Sequence, residues 1–259
     1  MGNNIYFISD VHLGLHPEEK SMEREKKLVS WLQSIKNEAA EIYFMGDIFD
    51  FWHEYKRVVP RGFTRFLGTV SLMADSGIKI HFFPGNHDVW MYSYLEKECG
   101  AVVHRKQKVR ELGGKKFFLH HGDGLGPGDM GFKLLRKAFH SKFLQWCFAR
   151  LHPNFAMWLG LTWSKKSRYA KGIIAEGFAG FDKEYQVLFA RDVLKHNYYD
   201  YFIFGHRHIP SEITLEKGAK LVNLGDWIYS FTYGVWDGNQ FMLKQCEGKG
   251  DKILRLSVE

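Results

Sequence analysis

Five short stretches set aspartate, asparagine or histidine beside glycine or serine: "SDVH" at 9–12, "GDIFD" at 46–50, "GNHD" at 85–88, "HHGD" at 120–123 and "GHRH" at 205–208. In the first, Asp10 and His12 lie two residues apart, so on an extended chain both side chains point the same way. A carboxylate and an imidazole on one face suit a shared metal ion, or an ordinary Asp–His hydrogen-bonded pair. Taken singly, "GD" and "GN" are common turn signals. Taken together they share a position. Each ends a short run rich in Ile, Phe, Tyr and Val, and ligands of open α/β sheets gather at the carboxyl ends of strands. Asp10, His12, Asp47, Asn86, His87, Asp88, His121, His206 and His208 are the ligand-type residues that five strand ends would bring together. Gly46, Gly85, Gly122 and Gly205 neighbour them, where glycine permits sharp turns and close backbone approach.

The elements that must position these residues are legible as patterns. "NIYFIS", "EIYFMG", "KIHFFPG", "KKFFLHH", "YFIFGH" and "KLVNLG" read as buried strands. Residues 21–37 carry Leu28, Trp31, Leu32 and Ile35 on one helical face, and 62–76 behave similarly. Strands alternating with helices predict an α/β fold. "YGVWDGNQFMLKQC" predicts an antiparallel hairpin turning at Asp237-Gly238. Residues 131–178 break the rhythm: helical in pattern, crowded with Phe, Trp and Leu and laced with Lys and Arg, they read as an inserted helical cap on a single domain spanning 1–259.

Composition narrows the classes. The 259 residues are 45% apolar and 25% charged, ordinary for a globular protein. The net charge of +7 favours polyanionic partners: nucleic acid, phosphorylated small molecules or anionic lipid. Cys99, Cys147 and Cys246 are far apart and lack a CxxC pattern, which argues for a reducing compartment. The N-terminus reads as neither a secretory signal nor a myristoylation site, and no run is long and apolar enough to span a bilayer.

D-x-H, G-D, G-N-H-D, H-G-D and G-H-x-H, in that order from Asp10 to His208, resemble the calcineurin-like metallophosphoesterase family. The resemblance implies a four-layer α/β/β/α sandwich and a dinuclear metal centre. Asp10, His12, Asp47 and His208 would hold one ion, and Asp47, Asn86, His121 and His206 the other, with Asp47 bridging. Of the adjacent His120 and His121, only His121 directly precedes Gly-Asp as the family motif requires. Carboxylate, amide and imidazole donors without thiolate suit Mn²⁺, Fe²⁺ or Zn²⁺ and not a structural zinc site. Two such ions clamp the attacking and leaving oxygens of a phosphoryl displacement and acidify a water. The same resemblance puts His87 near the leaving group as a proton donor, with Asp88 orienting it.

Within the family, "SDVHLG", "GDIFDFW", "HHGDGL" and "GHRHIP", with a helical insert between the last two, are similar to the UDP-2,3-diacylglucosamine hydrolases. That similarity implies cleavage of a nucleotide-linked glycolipid to lipid X and UMP in lipid A biosynthesis, most naturally with Mn²⁺. The enzyme would be cytoplasmic and peripheral on the cytoplasmic face of a bacterial inner membrane, meeting an anionic membrane surface, with neither nucleic acid nor an obligate protein partner. Phe139, Phe143, Leu144, Trp146, Phe148, Phe155, Met157, Trp158, Leu159 and Trp163 would line an acyl-chain chamber. Lys133, Arg136, Lys137, Lys142, Arg150, Lys165 and Lys166 would face anionic headgroups. Asn86, His87, Asp129, Ser164, Arg168, Lys171 and His206 are the candidate substrate contacts. The chain departs from that pattern at "GNHD", where the hydrolases carry GNRD, and at "NLGDW", where a basic ending is expected. The runner-up is a cytosolic phosphodiesterase, nuclease or nucleotide pyrophosphatase, which leaves the aromatic cap unexplained. A non-catalytic scaffold on this fold would ordinarily have lost metal ligands, and none is missing here.

Overall fold

The computed structural model describes residues 2–126, 130–171, 180, 183–247 and 251–254, and at 130–132 and 167–171 it describes the backbone. The strands are β1 (Asn4–Ile8), β2 (Ala39–Phe44), β3 (Lys79–Phe82), β4 (Val102–Val103), β5 (Lys108–Leu112), β6 (Lys115–Leu119), β7 (Tyr201–Phe204), β8 (Ser211–Thr214), β9 (Lys220–Asn223), β10 (Thr232–Trp236), β11 (Phe241–Gln245) and β12 (Lys252–Ile253). The helices are α1 (Glu18–Ile35), α2 (Thr64–Asp75), α3 (Tyr94–Lys97), α4 (Met130–His140), α5 (Lys142–Phe148), α6 (Pro153–Lys171) and α7 (Tyr185–His196).

The runs read as buried strands are strands because both of their faces are covered. In β1, Tyr6 and Ile8 belong to the core beneath α1 and α2, whereas Ile5 and Phe7 belong to a second core between two sheets. This is the period-2 alternation of a pleated strand, apolar on both sides because both sides pack. The first sheet has the order β12-β11-β10-β1-β2-β3-β4 and the second β5-β6-β7-β9-β8. A third core joins Phe118, Phe202 and Phe204 to Val187, Ala190 and Leu194 of α7. The layers are therefore α1 and α2, first sheet, second sheet, and α7: the expected α/β/β/α sandwich. The hairpin at Asp237-Gly238 forms as β10 pairs antiparallel with β11.

Parallel pairing decides where the loops go. β1, β2 and β3 run parallel in one sheet, and β6, β7 and β9 run parallel in the other. Their carboxyl-end loops carry all five motif stretches, plus a sixth, 224–228, that the motif reading left aside. Residues 130–171 form three helices, α4 to α6, where the cap was expected. The rest of the expected cap, 172–178, lies outside the described residues.

Candidate metal centre

The loops after β1 and β2 are laced by backbone hydrogen bonds: Asp10 N to Gly46 O and His12 N to Asp47 O, both 3.0 Å. The loops after β6 and β7 join through Gly205 N and His121 O at 2.8 Å. Between the sheets, His206 N donates to Asp10 Oδ2 at 2.8 Å. Such close approach explains the glycines. A Cβ at Gly85 would run into Asp47 Oδ1, and one at Gly205 into Ser9 Oγ and Asp10 Oδ2. It also explains a backbone peculiarity. Asp10, His12, Asp47, His206 and His208 all have positive φ, from 49° to 70°. Non-glycine residues are held there at a cost of roughly 1–3 kcal/mol each, which persists where the surroundings over-determine a functional geometry.

The side chains meet in three overlapping groups: Asp10, His12 and His208; His12, Asp47 and His87; Asp47, His121 and His206. Within each group the ligand atoms all lie within 4.8 Å of one another. Asp47 is central. Its Oδ1 accepts from His87 N at 2.8 Å, and its Oδ2 lies 3.4 Å from His121 Nε2 and 3.8 Å from His12 Nε2. Asn86 sits between Gly85 and His87 in the loop that reaches Asp47. The donor atoms are set for cations. Asp10 Oδ1, Asn86 Oδ1 and His121 Nε2 are buried with no hydrogen-bond partner among the described residues. His121 Nδ1 lies 2.9 Å from the Met45 carbonyl, which fixes the proton on Nδ1 and turns the Nε2 lone pair toward Asp47. A hard-to-borderline divalent cation fits this oxygen and imidazole set.

Charges agree with that reading. Burial opposes a positive His12, yet hydrogen bonds to Asp10 and Asp50 and the nearby Asp47 charge prevail and raise its pKa to about 9. His121 follows the same logic beside Asp47, reaching about 10. Burial and then the His121 charge push His206 down to about 3. Asp47, against its burial, is held well below the usual carboxylate range by His121 and His87. Without cations, two imidazoles thus take up protons to offset clustered carboxylates.

Two supporting carboxylates escaped the motif reading. Asp50 Oδ1 lies 3.3 Å from His12 Nδ1, and Asp226 Oδ2 lies 3.6 Å from His208 Nδ1. Each stands behind a ligand imidazole, the arrangement that orients metal-binding histidines. Both lie within the stretches "GDIFD" and "NLGDW". Asp50 lies three residues past Asp47, and Asp226 belongs to the sixth loop. Asp226 Oδ1 also accepts from the backbone of Ile228, Tyr229 and Ser230, which fixes that loop. Trp227 packs: it is fully buried, its indole donates to Thr232 O at 2.7 Å and its ring meets Trp31.

Asp88 ties two loops together. Its carboxylate accepts backbone hydrogens from Gly85 (2.7 Å), Ile48 (2.8 Å), Phe49 (3.2 Å) and Asp47 (3.3 Å), tying the loop after β3 to the loop after β2. The buried amides of these loops need an acceptor, and the Asp88 carboxylate supplies it. His87 also meets the helix α6. Its Nδ1 lies 3.0 Å from Ser164 Oγ and 3.1 Å from Asp50 O, and Ser164 Oγ donates to Asp50 Oδ2 at 3.1 Å. Ser164, buried on α6, thus reaches the centre. Asp129 lies outside the described residues, and Arg168 and Lys171 are placed on the α6 backbone only. His120 Nδ1 accepts from Gly122 N at 2.8 Å.

The cap does not enclose all the apolar residues assigned to a chamber. Phe139 and Phe148 pack on Trp90. Phe143, Trp146, Phe155 and Trp158 are 50–69% exposed. Short amphipathic helices cannot bury aromatics on every side, so those opposite the core face outward. Arg136 pairs with Asp123 at 3.2 Å, and Lys133 donates to Gly126 O at 2.7 Å, so these two cations serve the cap's seat.

Two sheets flanked by helices, with Asp, Asn and His loops converging on a shared aspartate, define a phosphoesterase. Residues 4–210 match the calcineurin-like phosphoesterase family, to which the chain belongs. More particularly, it is 40% identical over 95% of its length to a UDP-2,3-diacylglucosamine hydrolase of Porphyromonas gingivalis, covering 99% of that protein. A UDP-2,3-diacylglucosamine hydrolase of Neisseria meningitidis is 30% identical over 86% of this chain and 89% of its own. Among solved structures, the Escherichia coli phosphoesterase Yfce aligns over 96% of both chains at 13% identity and a TM-score of 0.47.

Proposed function

We propose that this chain hydrolyses the pyrophosphate of UDP-2,3-diacylglucosamine to 2,3-diacylglucosamine 1-phosphate and UMP, in lipid A biosynthesis. The observation that carries the hydrolytic chemistry is the position of Asp47, shared between groups of ligand atoms drawn from both sheets. The lipid substrate is supported by full-length similarity to hydrolases of that name.

Asp10, His12, Asp47 and His208 would hold one divalent ion, and Asp47, Asn86, His121 and His206 the second. Mn²⁺ suits the donor set, with Fe²⁺ or Zn²⁺ as alternatives. Such a pair, when bound, would supply Lewis acidity toward the phosphoryl group and acidify water. The chain's own residues do the rest. Asp50 and Asp226 keep the His12 and His208 imidazoles turned inward. Asp88 fixes the two loops that carry Asp47 and Asn86. His87, whose Nδ1 lies 3.0 Å from Ser164 Oγ and 3.1 Å from the Asp50 carbonyl, donates a proton to the leaving phosphate. Ser164 belongs to α6, so seating the cap and positioning His87 are one event.

The cap's outward aromatics, Phe143, Trp146, Phe155 and Trp158, lie among exposed Lys142, Arg150, Lys165 and Lys166. Aromatic and basic side chains together suit an anionic membrane surface, so the enzyme works peripherally, on the cytoplasmic face of the inner membrane. No described helix is long and apolar enough to cross a membrane. Arg168, Lys171 and Asp129 remain candidate substrate contacts beside the cap. The test is turnover of UDP-2,3-diacylglucosamine with Mn²⁺, followed by ³¹P NMR. Two product phosphate resonances replace the pyrophosphate pair, and Asp10→Ala or His121→Ala abolishes the change. A protein that leaves this lipid intact while cleaving simple phosphodiesters keeps the family and loses the substrate.

A further inference from the structure

A cavity of about 210 Å³ lies between the core and helices α4 and α5. Its walls include Asn86 and His121 of the candidate centre, so it opens onto one side of that centre. His12, His87 and Ser164, which make up the other side, do not line it. Arg105 and Lys106 line it from exposed positions, so the cavity runs from the buried ligands to the surface. Arg136 and Phe139 complete the α4 wall.

The lining has the chemistry of an anion site joined to an aromatic platform. Arg105 is held in place by the Tyr92 carbonyl, to which it donates, and by Glu96 at 3.4 Å. Arg136 is anchored through Nε to Asp123 Oδ2 at 3.2 Å and through Nη1 to Asp123 O at 3.4 Å. Its Nη2 makes no hydrogen bond among the described residues. Asp123, the one carboxylate in the lining among the described residues, is thereby neutralised. Guanidinium groups offer planar donor pairs to phosphate, and Phe139 and Tyr92 offer ring surface.

We infer that this cavity receives the nucleoside monophosphate half of the substrate, with the lipid half on the His87 and Ser164 side of the centre. The inference rests on the proposed function and extends it to a subsite. Size and charge decide the assignment. Pockets that take a whole ligand run to roughly 300–1,000 Å³, so this one takes a portion. An acyl chain placed here would strip water from three cations and a carboxylate without replacing their hydrogen bonds, a costly exchange. A nucleotide satisfies them.

The test measures UMP binding by calorimetry in Mn²⁺-loaded protein, for the natural chain, Arg105→Ala, Lys106→Ala and the double variant. Both side chains are exposed and outside the core, so the fold survives their removal. Loss of each charged donor is expected to weaken UMP about tenfold, and KM for UDP-2,3-diacylglucosamine to rise by a similar factor. Affinity for 2,3-diacylglucosamine 1-phosphate stays unchanged. UMP affinity that is the same in all four proteins, or loss of affinity for the lipid product instead, overturns the assignment. UMP binding that depends on Arg105 and Lys106 in a protein inert toward the UDP-lipid would remove the proposed substrate and keep the nucleotide subsite.

Discussion

Asp50→Asn separates a supporting carboxylate from the ligands themselves. Asn keeps the size of the side chain and the backbone carbonyl that faces His87 Nδ1, and removes the charge 3.3 Å from His12 Nδ1. Loss of such a partner typically weakens metal affinity 10–100-fold, or about 1.4–2.7 kcal/mol. Part of this is masked at neutral pH. Without metal, His12 has its pKa raised to about 9, partly by Asp50, so at pH 7 a cation must displace a proton. Two pH units of displacement cost about 2.7 kcal/mol. Removing Asp50 lowers that pKa, which eases proton competition while it weakens the ligand. The two effects oppose each other at pH 7, and only the second survives above pH 9. The assay is Mn²⁺ binding in competition with a fluorescent chelator at pH 7 and pH 9, beside circular dichroism to confirm the fold. The expected result is a larger loss of affinity at pH 9 than at pH 7, with turnover recovering at high Mn²⁺. Affinity equal to the natural protein's at pH 9 would refute the role assigned to Asp50.

Further outcomes follow from other contacts. Ser164→Ala removes a contact of α6 with His87 and is expected to lower kcat about three- to tenfold, read by steady-state kinetics. His53 is 1% exposed, both ring nitrogens lack hydrogen-bond partners among the described residues, and burial pushes its pKa down to about 4. Because the unfolded chain binds more protons between about pH 6.5 and 4, stability should fall as pH drops through that window, by about 2 kcal/mol at pH 5. Urea unfolding of His53→Leu should lose this dependence. A Cβ at Gly160 of α6 would strike the Phe51 ring, so Gly160→Val should destabilise by about 1–3 kcal/mol in thermal melts and release the cap. Chelation with EDTA should lower the melting temperature, since ligand at 1,000 times its Kd contributes about 4 kcal/mol.

The strands, the first two helices, the hairpin and the loops that carry the Asp, Asn and His motifs were legible because each rests on a local pattern. Tyr6 and Ile8 against Ile5 and Phe7 alternate within four residues, and Asp10 and His12 announce themselves by spacing. Roles that depend on distant partners were not legible. Asp88 follows His87 directly, yet its carboxylate answers amides some forty residues earlier in sequence. Asp226 lies in "NLGDW", and only the parallel pairing of β9 with β7 brings it to His208. Asp50 lies inside "GDIFD", and nothing local distinguishes a ligand from the residue behind one. Ser164 was noticed as a polar residue after the cap, while its contact with His87 depends on how α6 lies across the loops. The outward aromatics show the same limit: composition reports how many apolar residues a helix has, and packing decides which of them are covered.

Anomalous diffraction from crystals grown with Mn²⁺, recorded near the manganese edge, tests the central claim most directly. Two peaks are predicted, one on either side of the Asp47 carboxylate, with at least one missing in Asp47→Ala. A fully active protein whose crystals show no peak touching Asp47 would contradict it.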